Sequence, residues 1–131
     1  LTDHLPVADY IVIAAPHTPA TEGMLNAASF TVMKPSAYVV NVGRGQVIEE
    51  SALIGALEEG RIAGAYLDAF DHEPLGGEHV LWDTDRVLVV PHDSHSSPDI
   101  GDRMVEIFCA NLRRYVAGER LQNICDPAKG Y

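Results

Sequence analysis

Basic side chains are scarce in this sequence: nine Lys and Arg stand against 19 Asp and Glu, a formal net charge of −10. A surface this acidic repels phosphate backbones and anionic lipids, which argues against nucleic-acid partners and against membrane association. The one basic cluster, Arg113 and Arg114 with Arg120, reads as the solvated face of a helix. Cysteine is scarcer still. Cys109 and Cys125 make neither a disulfide framework nor a metal-ligand set, and two reduced thiols fit a cytoplasmic protein. No metal site is expected. Long apolar runs are missing as well: none approaches the roughly 20 residues that cross a bilayer. The opening Leu1-Thr2-Asp3-His4 lacks the basic and apolar stretches of a signal peptide. Internal repeats and low-complexity segments are absent too.

What is present suffices for a domain with a real core: 131 residues, 47% apolar and 21% charged. Four short apolar runs stand out, at residues 9–15, 37–42, 64–70 and 87–90. The first is ended by Pro16, the second by Gly43 and the fourth by Pro91. They are apolar throughout rather than alternating, which predicts parallel strands covered on both faces. The intervening segments predict helices. Residues 26–33 have Asn26 as N-cap and Lys34-Pro35 as a stop. Residues 49–59 open with two acids at the positive end of the helix dipole, carry Leu53, Ile54 and Leu57 as an apolar stripe, and close at Gly60. A final helix has Ser97 as its cap, Pro98 in its first position and Asp99 complementing the dipole; Ile100, Met104, Ile107, Phe108 and Leu112 share one face and Gly118 ends it. Residues 121–131 show no periodicity.

Strand and helix in alternation predict an α/β fold: an open parallel sheet of about four strands, with right-handed crossovers placing helices on both faces. In such sheets ligands sit beyond the carboxyl ends of the strands. Here those ends carry Pro16-His17-Thr18, Gly43-Arg44, the stretch 68–73, and His92 to His95, so ionisable groups gather on one edge. One element of a complete dinucleotide-binding fold is lacking, the Gly-x-Gly-x-x-Gly turn that cradles a pyrophosphate. Gly43-Arg44-Gly45 has no third glycine at the right spacing.

Seven short motifs occur in order: Pro-His-Thr-Pro-Ala-Thr (16–21), Met-Lys-Pro (33–35), Asn-Val-Gly-Arg-Gly (41–45), Glu-Glu-Ser-Ala-Leu (49–53), Gly-Arg-Ile-Ala-Gly-Ala (60–65), Leu-Asp-Ala-Phe-Asp-His-Glu-Pro-Leu (67–75) and Val-Pro-His (90–92). Any one is weak. Together, and over nearly the whole chain, they resemble the D-isomer-specific 2-hydroxyacid dehydrogenase family. The resemblance implies that residues 1–118 form the later part of a Rossmann-like NAD-binding domain, with 119–131 a tail leading toward a substrate domain. It also implies an oxidoreductase using NAD, with NADP open, to interconvert a small 2-oxoacid and a D-2-hydroxyacid, in the manner of glyoxylate, hydroxypyruvate or phosphoglycerate dehydrogenases. The parent would commonly be a homodimer.

Three residues would carry the chemistry. Arg44 would hold the substrate carboxylate, since a guanidinium fork makes two parallel charge-assisted hydrogen bonds. His92 would move the proton, as the side chain that titrates nearest working pH. Glu73 would support it, because a nearby carboxylate favours an imidazolium and fixes its ring. Taken singly, each has a blander reading: a surface arginine in a turn, a structural histidine, a turn before Pro74. Asp68 would lie near the nicotinamide carboxamide; otherwise it is a turn cap. By the same resemblance Ala15, Pro16, His17, Thr18, Thr21, Val42, Gly43 and Arg44 line the nicotinamide and ribose, with His92, Ser94 and His95 opposite. The stretch Asp93-Ser94-His95-Ser96 departs from the family's small and apolar residues at this point. Glu73 also stands where formate dehydrogenases of the superfamily carry glutamine, which counts against that branch. The rival from another class is a nucleotide-sensing, co-repressor-like binding protein of the same fold. These residues alone are expected to bind NAD weakly and to be inactive, for want of the glycine-rich turn and of a substrate domain to close the cleft.

Overall fold

The computed structural model describes residues 1–129; Gly130 and Tyr131, the end of the aperiodic tail, lie outside them. The chain forms two compact units, Leu1–Ser94 and a second beginning at His95.

In the first unit the predicted alternation is realised with shorter elements. These are β1 (Tyr10–Ile13), α1 (Ala27–Val32), β2 (Tyr38–Asn41), α2 (Glu50–Glu58), β3 (Gly64–Leu67) and β4 (Val87–Val89). The Asn26 carboxamide oxygen accepts the N–H groups of Ala28 and Ser29 at 3.1 and 3.2 Å, satisfying donors that α1 cannot pair internally. Glu49 and Gly60 bound α2, the glycine in the left-handed region that ends many helices (φ 68°). The Arg86 guanidinium donates to Leu57 O at 2.6 Å and satisfies one of the last carbonyls of α2.

The four strands pair in sequence order β1-β2-β3-β4, all parallel. Within this unit, that order places its two helices on one face, where helices on both faces were expected. Each right-handed crossover steps the same way along the sheet, so α1 and α2 fall on the same side. Ile13, Val39, Asn41, Ala65 and Leu67 point to that side and are buried. They pack with Phe30, Leu53, Leu57, Leu25 and Leu5 into the core. Tyr10, Val12, Tyr38 and Leu88 face the other way and are exposed, with Tyr10 and Tyr38 stacked at a ring separation of 5.9 Å. An unbroken apolar run therefore reports strand here but not two-sided cover.

Two short elements escaped sequence reading: the 3-10 turn Gly45–Val47 after β2, and the 3-10 turn Val80–Trp82 in the loop before β4. His79 Nδ1 accepts from Leu81 N–H at 3.3 Å, its Nε2 sits 3.1 Å from Glu50 Oε1, and Trp82 donates to Gly76 O at 2.7 Å. One turn is too short to show periodicity.

The second unit holds α3 (Ile100–Val116), closed by Gly118 at φ 70°. Its start corrects the predicted cap. Asp99, not Ser97, occupies the cap position, and it makes no side-chain cap bond. The Ser97 hydroxyl bonds the Asp99 carboxylate instead, while Ser97 O accepts from Ile100 N–H at 3.1 Å. Among the described residues no helix is long and apolar enough to cross a membrane.

Two glycines test how the turn after β2 is packed. A methyl group on Gly45 would overlap the backbone of Phe70 and Asp71, whereas one on Gly55, inside α2, would meet nothing. Gly45→Ala is expected to lower stability by about 1–3 kcal/mol or more, and Gly55→Ala to raise it by about 0.5–1 kcal/mol. Urea midpoints at unchanged slope check both signs.

Candidate active site

The carboxyl ends of the strands are drawn together by side chains bonded to main chain. Asn41, the last residue of β2, is buried. Its Oδ1 accepts Gly43 N–H at 3.0 Å and its Nδ2 donates to Arg44 O at 3.1 Å. Val42 N–H bonds Ile13 O at 3.0 Å, and a side chain on Gly43 would come within 2.7 Å of Ala15 O. The ends of β1 and β2 thus pass in backbone contact, and the folded turn leaves Arg44 exposed. The Arg44 guanidinium donates to Gly43 O at 2.8 Å.

The loop after β1 is tied internally. The Thr21 hydroxyl donates to Pro16 O at 2.7 Å and accepts Thr18 N–H at 2.8 Å. Thr18 is buried, its hydroxyl 3.1 Å from that of Thr21. Both threonines therefore support the loop that carries the exposed His17, whose Nε2 lies 3.9 Å from Glu22.

The loops after β3 and β4 carry the ionisable pair. Glu73 Oε2 lies 2.7 Å from His92 Nδ1, and Glu73 Oε1 accepts Phe70 N–H at 3.0 Å. With Nδ1 engaged, Nε2 is the ring nitrogen left for another partner. The His92 side chain is 39% exposed and that of Glu73 35%, so the pair is reachable yet partly shielded. Burial alone would raise the Glu73 carboxyl. The Phe70 N–H, His92 and the nearby Arg44 outweigh it and hold the carboxyl below its ordinary range, so Glu73 is an anion at neutral pH.

Asp68 is buried at the end of β3, and its two oxygens accept the N–H groups of Asp93 and Ser94 at 2.8 and 3.0 Å. This grip falls on the residues just after His92, which sits at φ +52°, a conformation that side chains other than glycine adopt at a cost. His92 N–H also closes a tight turn on Val90 O at 3.0 Å. Asp68 thereby offsets the strain that aims the histidine. Burial would raise its carboxyl; the bonds from Ser94 and Asp93, with His92 nearby, more than reverse this and lower it.

The structure thus brings Glu73 and His92 together directly and places Arg44 near enough to act on Glu73. Ala15, Pro16, Val42, Gly43, Asp68 and Ser94 line the same strand ends, and His72, beside Glu73, is exposed and lies 3.6 Å from Asp71 instead. His95 opens the second unit. Sequence reading missed Asn41 as a supporting residue. The available signal was an Asn two residues ahead of a glycine turn, a pattern in which the carboxamide bonds the backbone two residues on.

The Asp68 grip has a measurable sign. Its native carboxyl is lowered, so its contribution is full above the unfolded value of about 3.9 and is lost as pH falls through the lower native one. Asp68→Asn turns an amide NH2 toward a backbone donor. We expect a loss of about 1–3 kcal/mol at neutral pH, shrinking as the solution is acidified. Thermal melts of both proteins across the acid range check it.

Comparisons with known proteins agree with this geometry. The sequence pattern of the D-isomer specific 2-hydroxyacid dehydrogenase NAD binding domain matches residues 1–94. A glyoxylate reductase of Pyrococcus furiosus is 39% identical over 119 residues, which are 91% of this chain and 35% of that protein. A D-isomer specific 2-hydroxyacid dehydrogenase from Xanthobacter autotrophicus Py2, solved in complex with NADPH and MES, superimposes with a TM-score of 0.88 at 39% identity, over 98% of this chain and 54% of that one. An NADPH-dependent glyoxylate/hydroxypyruvate reductase from Sinorhizobium meliloti, solved with NADP and sulfate, gives 0.89 at 32% identity, over 99% and 42%. The chain spans less than half the length of the curated relatives it matches. On the match over residues 1–94 and these likenesses, the chain belongs to the D-isomer specific 2-hydroxyacid dehydrogenase family, with residues 1–94 matching its NAD binding domain.

Proposed function

We propose that this chain supplies the proton-transfer and carboxylate-binding residues of an oxidoreductase that interconverts a small 2-oxoacid and a D-2-hydroxyacid. The observation that carries the reading is the 2.7 Å Glu73–His92 hydrogen bond at the carboxyl edge of a parallel sheet, with Arg44 on the same edge. A proton donor and an anion anchor on one sheet edge suit a substrate with a carboxylate next to a carbonyl.

The residues fit the nicotinamide end of a dinucleotide. Backbone of Ala15, Pro16, Val42 and Gly43 and the short loop after His92 offer hydrogen-bonding edges at the carboxyl ends of β1, β2 and β4. Asp68 fits better as the clamp on Asp93 and Ser94 than as a carboxamide acceptor, because it is 1% exposed and its oxygens face those two amides. When bound, the nicotinamide supplies the hydride for reduction and takes it back in oxidation.

In the reducing direction Arg44 holds the carboxylate through its guanidinium fork and draws electron density from the adjacent carbonyl. His92 Nε2–H donates its proton to the carbonyl oxygen as negative charge builds there. Glu73 remains an anion and keeps Nδ1–H in place, so the ring passes from imidazolium to neutral imidazole without turning. Oxidation runs the same steps backwards. The reductase names of the relatives favour glyoxylate and hydroxypyruvate as substrates.

The complete gene product carrying these residues is expected to oxidise NADH or NADPH with one or more of glyoxylate, hydroxypyruvate, pyruvate and phenylpyruvate. His92→Gln should lower kcat by about 10²–10⁴-fold, the span of one positioned acid. Arg44→Lys, which keeps charge but not the fork, should lower kcat/KM by at least about tenfold, chiefly through KM. Silence across the whole panel with both dinucleotides contradicts the proposal.

A further inference from the structure

Gln46 stands just past the Arg44 turn, in the 3-10 helix Gly45–Val47. It touches neither member of the Glu73–His92 pair, yet it is bonded toward two loops. Its main-chain oxygen accepts Gly23 N–H at 2.8 Å, at the end of the loop folded by Thr18 and Thr21. Its side-chain Nε2 donates to Asp71 O at 2.8 Å, two residues ahead of Glu73. Neighbouring bonds strengthen the first connection: Leu25 N–H to Val47 O at 3.1 Å and Glu49 N–H to Leu25 O at 2.8 Å. The second connection lies beside the place where Gly45 packs on the Phe70–Asp71 backbone.

We propose that Gln46 is a positioning residue for the reaction, whose carboxamide ties the Arg44 turn to the Glu73 loop and so fixes the anion anchor relative to the proton donor. The inference rests on the function proposed above. Its physical basis is that the substrate must meet two groups carried by different strand-end loops. Arg44 leaves from β2, and Glu73, through Phe70 and Asp71, from β3. The strand ladder fixes the strand ends but not the loops beyond them. Gly45 supplies contact without direction, since van der Waals packing resists approach and not sliding. A hydrogen bond from a side chain on one loop to the main chain of the other supplies the missing restraint. The main-chain bond to Gly23 anchors Gln46 itself, so the carboxamide pulls from a fixed point.

Two substitutions separate this role from general stability. Gln46→Met keeps length and removes the donor; Gln46→Lys restores a donor of similar reach. In the chain itself, hydrogen exchange at Phe70 N–H, the donor to Glu73, reports opening of the loop. It should quicken by about fivefold in Gln46→Met, with the amides of Val39 and Leu67 unchanged and Gln46→Lys near the parent rate. In the complete gene product, kcat for oxoacid reduction should fall by roughly tenfold in Gln46→Met with the KM for the dinucleotide unchanged, and recover largely in Gln46→Lys. A Gln46→Met change on top of Glu73→Gln should cost much less than it does alone, as expected for two residues acting in series. An unchanged Phe70 exchange rate, an unchanged kcat in an active parent, or full additivity with Glu73→Gln overturns the proposal. A parent that reduces no oxoacid overturns the functional reading instead, and Phe70 exchange still reports whether the tie exists.

Discussion

The hydrogen bond between Glu73 Oε2 and His92 Nδ1 spans 2.7 Å in space and 19 residues in sequence, and it joins the loops of two neighbouring strands. Everything around it serves to keep those loops in place. The bond itself is half-exposed, and in that setting its contribution to folding is small. Its value is directional: it turns Nδ1 toward Glu73 and leaves Nε2 as the ring nitrogen facing away from the carboxylate. A bond that adds little stability must be held by structure that adds much. That structure is the parallel ladder and the single-sided core of Phe30, Leu53, Leu57, Val39 and Leu67.

Between the core and the pair stands a layer of polar side chains bonded to main chain. Asn41 folds the turn that presents Arg44, and Asp68 grips the two amides after His92. Thr18 and Thr21 close the loop after β1, and Gln46 spans from one loop to the next. Asn41 and Asp68 are each only 1% exposed, so the cost of leaving them unpaired is high and their geometry is correspondingly fixed. This is how the sheet tolerates a histidine at positive φ: the strain sits on one residue and is offset by two bonds from Asp68, just past β3. Charge follows the same plan. Local donors hold both carboxyls, Asp68 and Glu73, below the ordinary range, so each is an anion at neutral pH.

Much of this was legible in the residues. Four apolar runs marked the strands because Val, Ile and Tyr suit a pleated, half-covered surface. Asn26 and Gly60 marked helix ends because their backbone requirements are strict and local. Motif order pointed to Arg44, Glu73 and His92, and the pairing of strands into one parallel sheet accounts for their lying on one edge. The cover of the sheet was not legible, since an apolar side chain reads the same facing a helix or facing outward. Tyr10, Val12 and Leu88 show this directly. Ser97 misled because serine and aspartate are both good caps, and the three residues Ser97, Pro98 and Asp99 offered two possible starts. Asp68 as a clamp and Gln46 act through bonds to main chain about 25 residues away, which no local pattern encodes, whereas Asn41 bonds only two and three residues on and carried a local signal.

The most direct test of the account is the tautomer of His92, read from the ¹⁵N shifts of its ring in the neutral form. Free neutral imidazole favours the proton on Nε2. If Glu73 orients the ring as described, Nδ1 carries the proton and Nε2 is bare, and Glu73→Gln weakens that preference. Nδ1 found bare in the parent chain, or a tautomer indifferent to Glu73→Gln, contradicts the claim that this carboxylate aims the histidine.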